Sequence, residues 1–339
     1  MRTKIDGELS LLERIRRRAK STGTGLRLGI GDDCALLRLH PAEELAVTTD
    51  LSIAGRHFRL NWHPSESVGH RTLARGLSDL AAMGARPVAA FLSLGLPREL
   101  TIARPRRKSR PQSPWIEGFL NGFLTLADRH NAPLAGGDLA ESPVAVADIV
   151  LAGAVPRGRA LLRSGARPGD LLYVTGKLGG ASAGLQGLAK LMGGRGASRG
   201  RIPPGLQDSL APHLYPQPRI VQGIYLQKRQ LANAAIDLSD GLSTDLSHIC
   251  AESGVFAEID AAAIPIHPDA TLDQALHGGE DYELLFSASP SARVPRAIAG
   301  VPITRIGRVL RTGRKGPSVT LITSRGSQPL DPAGWQHFS

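Results

Sequence analysis

Two kinds of apolar spacing along the chain predict most of its helices and strands. Apolar residues that recur every three or four positions indicate helices, and short apolar runs bounded by turn residues indicate strands. The predicted helices are Glu8–Lys20, a segment from Ser65 to about Met83-Gly84, Trp115–His130, Gly180–Leu191 and Ser243–Ser253. The predicted strands are Ala46–Thr49, Val88–Leu94, Val144–Val155, Leu171–Thr175, Asn233–Leu238, Glu283–Ala288 and Ile303–Val309. Because helices and strands alternate in both halves, we predict an α/β (α+β) fold.

Chain length and loop composition predict two domains. The chain has 339 residues, enough for about two domains of ordinary size. Gly, Pro and Arg concentrate between Pro156 and Gly169, so the predicted domains are 1–155 and 156–339. Two other Arg-rich segments, Pro105–Pro114 and Met192–Gly205, are predicted to be an exposed loop and a mobile segment.

Composition favours a cytoplasmic protein that does not enter membranes. No apolar run approaches the roughly 20 residues that cross a bilayer, and Met1–Ser10 lacks the apolar core of an export signal. The two cysteines, Cys34 and Cys250, lie far apart without the spacing of a zinc site. We expect both to be small buried residues in a reducing compartment.

The net charge of +11 admits two interpretations. Lys and Arg number 41 against 30 Asp and Glu, and much of the excess lies in Arg14–Arg18 and Arg104–Arg110. Such runs can bind nucleic acid through phosphate contacts. Here no aromatic residues interleave with them and no nucleic-acid motif accompanies them, which favours solvated surface. A basic surface also attracts anionic nucleotides.

The acidic residues gather at short sites beside Gly, Ser or Thr. These sites are Gly31–Asp33, Thr48–Asp50, Ser78-Asp79, Gly136–Asp138, Asp237–Gly241 and Gly278–Asp281. Carboxylates brought together in an apolar setting repel one another unless cations bind them. Oxygen ligands are those that Mg²⁺ prefers, together with phosphate oxygens and water. The pattern therefore predicts a site that handles phosphate through several metal ions.

Each acidic residue also has a simpler interpretation. A lone Asp after Gly more often forms a turn than binds a metal, and we expect Asp32 to be a turn or supporting residue. Asp237 and Asp240 could cap the helix that begins near Gly241, or both could face one cation. Asp245 is expected on the exposed face of that helix.

Common phosphate-binding motifs are missing from the sequence. Gly176-Lys177 lacks the upstream glycine and the following hydroxyl of a P-loop. The sequence also contains no dinucleotide-binding fingerprint and no kinase-type glycine loop with a His-Arg-Asp motif. A phosphoryl-transfer enzyme with this sequence must hold phosphate through metals rather than through a glycine cradle.

Seven motifs in order carry a resemblance to a known family. They are Gly29-Ile-Gly-Asp-Asp-Cys-Ala-Leu36, Thr48-Thr-Asp50, Leu77-Ser-Asp-Leu-Ala-Ala-Met-Gly84, Ala135-Gly-Gly-Asp138, Arg163-Ser-Gly-Ala-Arg-Pro-Gly-Asp170, Ala235-Ile-Asp-Leu-Ser-Asp-Gly-Leu242 and Gly278-Gly-Glu-Asp-Tyr-Glu-Leu284. This series resembles the thiamine-monophosphate kinases, within the superfamily of aminoimidazole-ribonucleotide synthetase and selenophosphate synthetase. The resemblance spans roughly Ile30 to Phe338.

The resemblance implies ATP-dependent phosphorylation of thiamine phosphate to thiamine diphosphate. It implies a homodimer whose N-terminal mixed sheets pair, a C-terminal α/β sandwich and nucleotide bound between the domains. The implied Mg²⁺ ligands are Asp33, Thr48, Thr49, Asp50, Asp79, Asp138, Asp237 and Asp240, of which Asp50 and Asp240 are the expected catalytic residues. The implied ATP contacts are Gly137, Asp138, Arg163 and Ser239, and the implied substrate contacts are His57, Glu280 and Trp335.

Several of these residues keep a structural alternative. Arg163 could pair with Asp170 instead of reaching a phosphate. His57 would ordinarily be a surface or hydrogen-bonded histidine, and Trp335 would ordinarily anchor the tail of the chain. The alternative role of Trp335 is stacking on a cationic ring of the substrate.

Other members of the same superfamily and one unrelated class are the alternatives. A selenophosphate synthetase would need a reactive cysteine near the N-terminus, and Met1–Gly29 has none. A hydrogenase-maturation relative would end in a reactive cysteine, whereas this chain ends Gln336-His-Phe-Ser339. A basic nucleic-acid-binding protein with incidental acidic turns is the alternative from a different class.

Overall fold

The computed structural model describes residues 8–19, 23–102, 113–193, 202–311 and 318–334. The chain divides into two compact units. The first contains residues up to Gly76 and Pro87–Ala154, and the second contains Leu77–Arg86, Val155–Leu191 and the chain from Pro203 onward. The predicted division at residues 155 and 156 stays a prediction.

The helices include every one that the apolar spacing predicts. They are α1 (Glu8–Arg18), α2 (Ser65–Ala82), α3 (Trp115–His130), α4 (Gly180–Gly193), α5 (Gln207–Leu214), α6 (Ile220–Lys228), α7 (Leu242–Ser253) and α8 (Leu272–His277). The three that were not predicted, α5, α6 and α8, have six to nine residues. Segments of that length span about two turns, too few for an apolar period to be evident.

The strands are more numerous than predicted. They are β1 (Leu26–Leu28), β2 (Leu36–Leu37), β3 (Glu43–Ile53), β4 (Arg86–Leu96), β5 (Leu134–Glu141), β6 (Val146–Pro156), β7 (Leu171–Thr175), β8 (Ala234–Asp237), β9 (Phe256–Asp260), β10 (Leu284–Ala288), β11 (Ala297–Ile298), β12 (Val301–Leu310), β13 (Val319–Thr323) and β14 (Gly326–Pro329). All seven predicted strands are present, and the mixed α/β class is confirmed.

The first unit is built on a sheet with strand order β3-β6-β4-β5. Strands β4 and β5 run parallel, with Leu92 beside Gly137 and Ser93 beside Asp138. Helices α2 and α3 approach each other closely at glycines. A Cβ on Gly69 would lie 1.9 Å from the carbonyl oxygen of Phe119, and one on Gly122 would lie 1.8 Å from that of Glu66. The contact therefore requires residues without side chains.

We expect Gly122→Ala to destabilise the protein by about 1–3 kcal/mol, because the new methyl group must push α2 and α3 apart. Urea unfolding of the purified variant measures this change. Gly193→Ala is the matched control, because Gly193 ends α4 and a Cβ there would meet no atom within 4 Å. Equal stability of the two variants would contradict the close packing of these helices.

Strand β3 presents two different faces. Leu45, Val47 and Leu51 share one face and are 53%, 57% and 45% exposed. Residues of the opposite parity face α2, since a Cβ on Gly76 would lie 3.5 Å from the Thr48 side chain. An edge strand with one apolar face exposed is a surface suited to contact with another protein.

The second unit is built on a larger sheet with order β14-β13-β9-β12-β7-β10-β8, and β11 pairs with β12. Its neighbours run antiparallel except for β9 and β13, which are parallel. Helix α7 packs on this sheet through Leu246 and Ile249, which join a buried cluster with Val174, Ile236 and Leu285. The end of β8 and the start of α7 therefore occupy fixed positions.

In the described part of the chain, no helix combines the length and apolar character needed to cross a membrane. The loop predicted at Pro105–Pro114 lies mostly outside the described residues, as do Arg104–Arg110. The same holds for Trp335 and for most of Met192–Gly205.

Candidate functional site

Strand β3 and helix α2 place Asp50 beside a cation. The Asp50 carboxylate lies 3.2 Å from Nη2 of Arg75, and each side chain is about one-fifth exposed. Thr48 shares the face of Asp50, because side chains alternate along a strand. The side chain of Thr49 points to the other face, so Thr49 can share a cation with Asp50 only through its backbone carbonyl. The guanidinium of Arg75 offsets the charge of Asp50 in this conformation.

His57 lies in the turn that follows β3 and borders a small pocket. Its Nδ1 accepts a hydrogen bond of 3.0 Å from the backbone N–H of Ile53. A neutral ring in that arrangement carries its proton on Nε2 and presents a donor. Ser52, Arg71 and Arg75 also line the pocket. Two guanidinium groups, a hydroxyl and an imidazole can donate to an anionic oxygen at its rim, but Phe58 and Val68 also line the pocket, which holds little more than one water molecule.

The Gly136–Asp138 motif lies on β5, at the opposite edge of the sheet from β3. Strands β6 and β4 separate the two edges, a distance of roughly 14 Å at ordinary strand spacing. Gly137 has φ of 150°, and a Cβ there would lie 1.9 Å from the carbonyl oxygen of Leu92. Asp138 is exposed. The sheet of one chain therefore does not bring Asp138 next to Asp50.

The Gly31–Asp33 motif forms an exposed turn. The Asp32 carboxylate accepts a hydrogen bond of 3.0 Å from the N–H of Asp33, which supports the interpretation of Asp32 as a turn residue. Asp33 is exposed and so is Cys34. The prediction that both cysteines are buried is wrong for Cys34 and confirmed for Cys250. The reason is that Cys34 follows a turn in a polar motif instead of lying on the apolar face of a helix.

In the second unit, Asp237 ends β8 and is buried. Its carboxylate accepts a hydrogen bond of 2.7 Å from the hydroxyl of Ser78, a residue of α2. Ser78 is fully buried and Asp79 follows it with a partly exposed side chain. The Ser78-Asp79 motif and the Asp237–Gly241 motif are therefore neighbours, although 159 positions separate Ser78 from Asp237.

Asp240 and Gly241 form the turn between β8 and α7. Gly241 is the N-cap of α7, has φ of 110° and offers no side chain to cap the helix. The capping alternative for Asp237 and Asp240 therefore fails at this N-cap. Asp245, one turn into the helix, instead accepts hydrogen bonds from the backbone N–H groups of Asp240 (3.1 Å) and Gly241 (3.0 Å).

The prediction that Asp245 lies on the exposed face of α7 is wrong, because its residue surface is only 2% exposed. Burial, and secondarily the charges of Asp237 and Asp240, raise the pKa of Asp245 to about 8, against the smaller lowering effect of its two backbone hydrogen bonds. Helical spacing fails here because the side chain turns back toward the N-terminal end of α7, where the backbone supplies donors. His248 lies one turn further along, and single ligand atoms of Asp240, Asp245 and His248 lie within 4.8 Å of one another.

The Gly278–Asp281 motif lies against the same turn. The N–H of Glu280 bonds to the carbonyl of Ser239 at 2.8 Å, and the N–H of Tyr282 bonds to that of Leu238 at 2.9 Å. Glu280 has φ of 68°, a left-handed conformation that is uncommon for a residue with a side chain. Its carboxylate lies 3.6 Å from Nδ1 of the buried His213. The structure therefore brings Ser239, Asp240 and Glu280 together.

Two further acids hold this loop in place. The Asp281 carboxylate accepts hydrogen bonds from the N–H groups of Gly179 (2.6 Å) and Ala181 (3.0 Å) at the start of α4. Burial raises the pKa of Asp281 to about 7, even though these hydrogen bonds lower it. The buried Glu283 carboxylate is held by both Nε and Nη2 of Arg219. The strained backbone of Glu280 thus directly precedes a segment that is anchored at Asp281 and Glu283.

Arg163 is exposed. The sequence left open an ion pair between Arg163 and Asp170, but the hydrogen-bond partners of Asp170 are other residues. The buried Asp170 carboxylate accepts hydrogen bonds from the side chains of Asn233 and Ser287 and from the N–H of Arg167. The carboxylate of Asp170 is thus engaged with neutral donors. The described contacts of Asp170 therefore do not include the ion pair with Arg163 that was the alternative, and the role of Arg163 stays a prediction.

The end of the described chain reaches the Asp240 turn. A Cβ on Gly334 would lie 1.9 Å from the carbonyl oxygen of Asp240, and the N–H of Gly334 donates to the hydroxyl of Thr244 at 3.1 Å. Trp335 is the next residue in sequence and lies outside the described residues.

The donor chemistry of both groups of residues fits Mg²⁺. The first unit contains Asp33, Thr48, Thr49, Asp50 and Asp138, and the second contains Asp79, Asp237 and Asp240. These residues supply carboxylate and carbonyl oxygens, the ligands of hard divalent cations. A bound cation would also offset the mutual repulsion of Asp237, Asp240 and Asp245.

Known proteins resemble the chain over almost its full length. Residues 31–156 match the family model of the AIR synthase related protein N-terminal domain, and residues 167–320 match that of the C-terminal domain. The thiamine-monophosphate kinase of Escherichia coli (strain K12) is 39% identical over 347 residues, covering 98% of both chains. The crystal structure of thiamine-monophosphate kinase from Stenotrophomonas maltophilia K279a is 37% identical with a TM-score of 0.75, covering 93% of this chain and 96% of that one.

A liganded structure also matches. AaThiL complexed with AMPPCP and TMP is 29% identical with a TM-score of 0.72, covering 100% of this chain and 99% of that one. The similarity thus includes a protein seen with two ligands bound.

Proposed function

The chain belongs to the thiamine-monophosphate kinase family of AIR synthase related proteins, and we propose that it transfers the terminal phosphoryl group of ATP to thiamine phosphate. The observation that carries this proposal is 39% identity to such a kinase over 98% of both chains. The product would be thiamine diphosphate. The complex of AaThiL with AMPPCP and TMP supports the same pair of substrates.

The residues proposed to hold Mg²⁺ are the eight with oxygen donors given above, with Asp50 and Asp240 as the catalytic pair. Magnesium ions bound there would offset the negative charge of two polyphosphate groups that must approach each other. In the second unit, Ser78 orients Asp237 and the N–H donors of the Asp240 turn are held by Asp245. The first contact holds the Asp237 carboxylate, and the second holds the backbone of the Asp240 turn, before a cation arrives.

The acceptor oxygen of thiamine phosphate is already anionic, so the proposed transfer needs no strong base. Catalysis would then consist of positioning and electrostatic stabilisation. His57 would donate from Nε2 to an anionic oxygen of the acceptor, because its Nδ1 is occupied by the N–H of Ile53. Glu280 and Trp335 would contact the thiamine rings, and Gly137, Asp138, Arg163 and Ser239 would contact ATP.

We also propose that the chain forms a homodimer through the sheets of its first unit. The exposed apolar face of β3 at Leu45, Val47 and Leu51 supports this contact. The separation of Asp138 from Asp50 across the sheet supports it independently, since a second copy could bring β5 of one chain near β3 of the other. Analytical ultracentrifugation of the parent and of Val47→Glu tests the proposal, and an unchanged mass at equal concentration would contradict it.

Release of ADP in a coupled assay tests the activity directly. ATP and Mg²⁺ are kept constant while the acceptor is thiamine phosphate or another phosphate monoester. Formation of thiamine diphosphate in proportion to ADP is the expected result. Equal ADP release with unrelated monoesters would favour another ATP-dependent reaction of the superfamily, such as a selenophosphate synthetase-like or hydrogenase-maturation-like one. Salt-sensitive filter binding of nucleic acid without ADP release would favour the remaining alternative.

Labelling of Cys34 provides a test of the Asp33 site that does not depend on turnover. We expect a disulfide reagent to modify one thiol of the native protein, because Cys34 is exposed while Cys250 is buried with its pKa raised to about 12. A non-hydrolysable ATP analogue with Mg²⁺ should slow this reaction, since Asp33 adjoins Cys34. Asp33→Asn should abolish this protection. If the ATP analogue leaves the rate of Cys34 modification in the parent unchanged, the assignment of Asp33 as a metal ligand is contradicted.

A further inference from the structure

Asp245 has no place among the residues proposed to touch metal or substrate, yet it is the most deeply buried acid of the Asp240 turn. It lies in the first turn of α7, and one oxygen, Oδ2, accepts both hydrogen bonds from the turn. Its neighbours Asp237 and Asp240 carry like charges, so an acid at this position costs stability. A residue kept for packing alone would be apolar.

We propose that Asp245 is a positioning residue that fixes the Asp240 carboxylate by holding the peptide N–H groups of Asp240 and Gly241. This inference rests on the proposed function only in giving Asp240 the role of metal ligand. The hydrogen bonds themselves belong to the described structure.

The turn between β8 and α7 needs an acceptor such as Asp245, because Gly241 at the N-cap has no side chain that could accept a hydrogen bond. Gly241 has φ of 110° and no side chain, so the two N–H groups depend on an acceptor from elsewhere. On the other side, Gly334 packs on the carbonyl of Asp240. The peptide groups on both sides of the Asp240 Cα are therefore held, which fixes the direction of its Cα–Cβ bond relative to Asp237.

The proposal separates the position of an oxygen from the charge that it bears. Both hydrogen bonds require only an acceptor at the place of Oδ2, and the amide oxygen of asparagine can occupy that place. A glutamate keeps the charge but moves the oxygens by about one bond length into a close-packed interior. A metal ligand at position 245 would instead need the charge.

Binding of Mn²⁺ to the full chain, measured from the loss of its free-ion electron paramagnetic resonance signal with a non-hydrolysable ATP analogue present, tests the proposal. We expect Asp245→Asn to bind Mn²⁺ within about threefold of the parent and Asp245→Glu to bind about tenfold more weakly, a difference of about 1.4 kcal/mol. Glu252→Gln, on an exposed position of the same helix, is the matched control. The kinetic counterpart is the Mg²⁺ concentration for half-maximal rate, which should shift in the same order.

The reverse order, with Asp245→Asn weak and Asp245→Glu near the parent, would overturn the proposal and make Asp245 a metal ligand. A tenfold loss of Mn²⁺ affinity in His248→Ala would overturn it in the same way, because His248 lies near both acids. Parent-like binding in both Asp245 variants would also overturn it. If Asp245→Glu does not fold by circular dichroism, Asp245→Ala, which removes the acceptor, takes its place and should bind Mn²⁺ about tenfold more weakly than the parent, and parent-like binding of Asp245→Ala would overturn the proposal. Thiamine phosphate is absent from the Mn²⁺ measurement, so a wrong acceptor would show only in the ADP assay.

Discussion

We expect Asp240→Asn to lower kcat by about three powers of ten while the protein stays folded. A neutral amide cannot replace a carboxylate as a ligand that offsets phosphate charge, and the loss of one such electrostatic contact costs rates of this size. Steady-state ADP release at saturating ATP, thiamine phosphate and Mg²⁺ measures the effect. Glu252→Gln, an exposed acid-to-amide change on α7, is the control that should retain parent activity.

Although Asp240→Asn should lower kcat, we expect it to raise the thermal stability of the protein. The charge of Asp240 is one cause of the raised pKa of Asp245. A folded-state pKa above the unfolded value of 3.8 means that stability falls as pH rises toward about 8. Removing the charge reduces this loss, so the variant should gain Tm relative to the parent as pH increases from about 5 to 8. Near-normal turnover in a folded variant, or a Tm that falls with pH more steeply than the parent's, would contradict the role given to Asp240.

The sequence predicts the acidic groups of the second unit better than their supporting contacts. Motif order places Asp79, Asp237 and Asp240 in one set, and the hydrogen bond from Ser78 to Asp237 shows that two of these motifs do meet. The burial of Asp245 could not be predicted from helical spacing. A signal was present, since an acid four residues after Gly241 can accept from the N-terminal N–H groups of a helix.

In the first unit, the sequence does not predict the order of the strands in the sheet. The sequence gives no indication that Thr48–Asp50 and Gly136–Asp138 lie at opposite edges of one sheet, because strand order depends on pairings between distant segments. Strand β5 itself escaped prediction, since two glycines and an acid interrupt its apolar run. Gly137 fits there because the backbone of β4 leaves no space for a Cβ.

Position in the sheet and burial explain why the sequence predicts β7 and β10 but not β14. Strands β7 and β10 lie inside their sheet and are mostly apolar: every residue of β10 is buried, and those of β7 are buried or partly buried. Strand β14 is an exposed edge strand with the sequence Gly-Ser-Gln-Pro, which resembles a loop. Its pairing with β13 comes from the hairpin and not from its composition.

Free thiamine should be phosphorylated at least about a hundredfold more slowly than thiamine phosphate, because a hydroxyl acceptor must lose a proton and a dedicated base is worth that much or more. His57, a proposed substrate contact, accepts the N–H of Ile53 at Nδ1, so this nitrogen is not available as a base. Asp245 has a pKa of about 8, but its Oδ2 is engaged by the backbone of the Asp240 turn.

Parallel measurements of ADP release with thiamine and with thiamine phosphate, at pH values from about 6 to 9, give the ratio of the two rates. A thiamine rate that rises with pH while the thiamine phosphate rate stays flat would fit hydroxyl deprotonation as the obstacle. Comparable rates at pH 7 would show that a base lies within reach of the acceptor, and the account of catalysis by positioning and charge alone would be wrong.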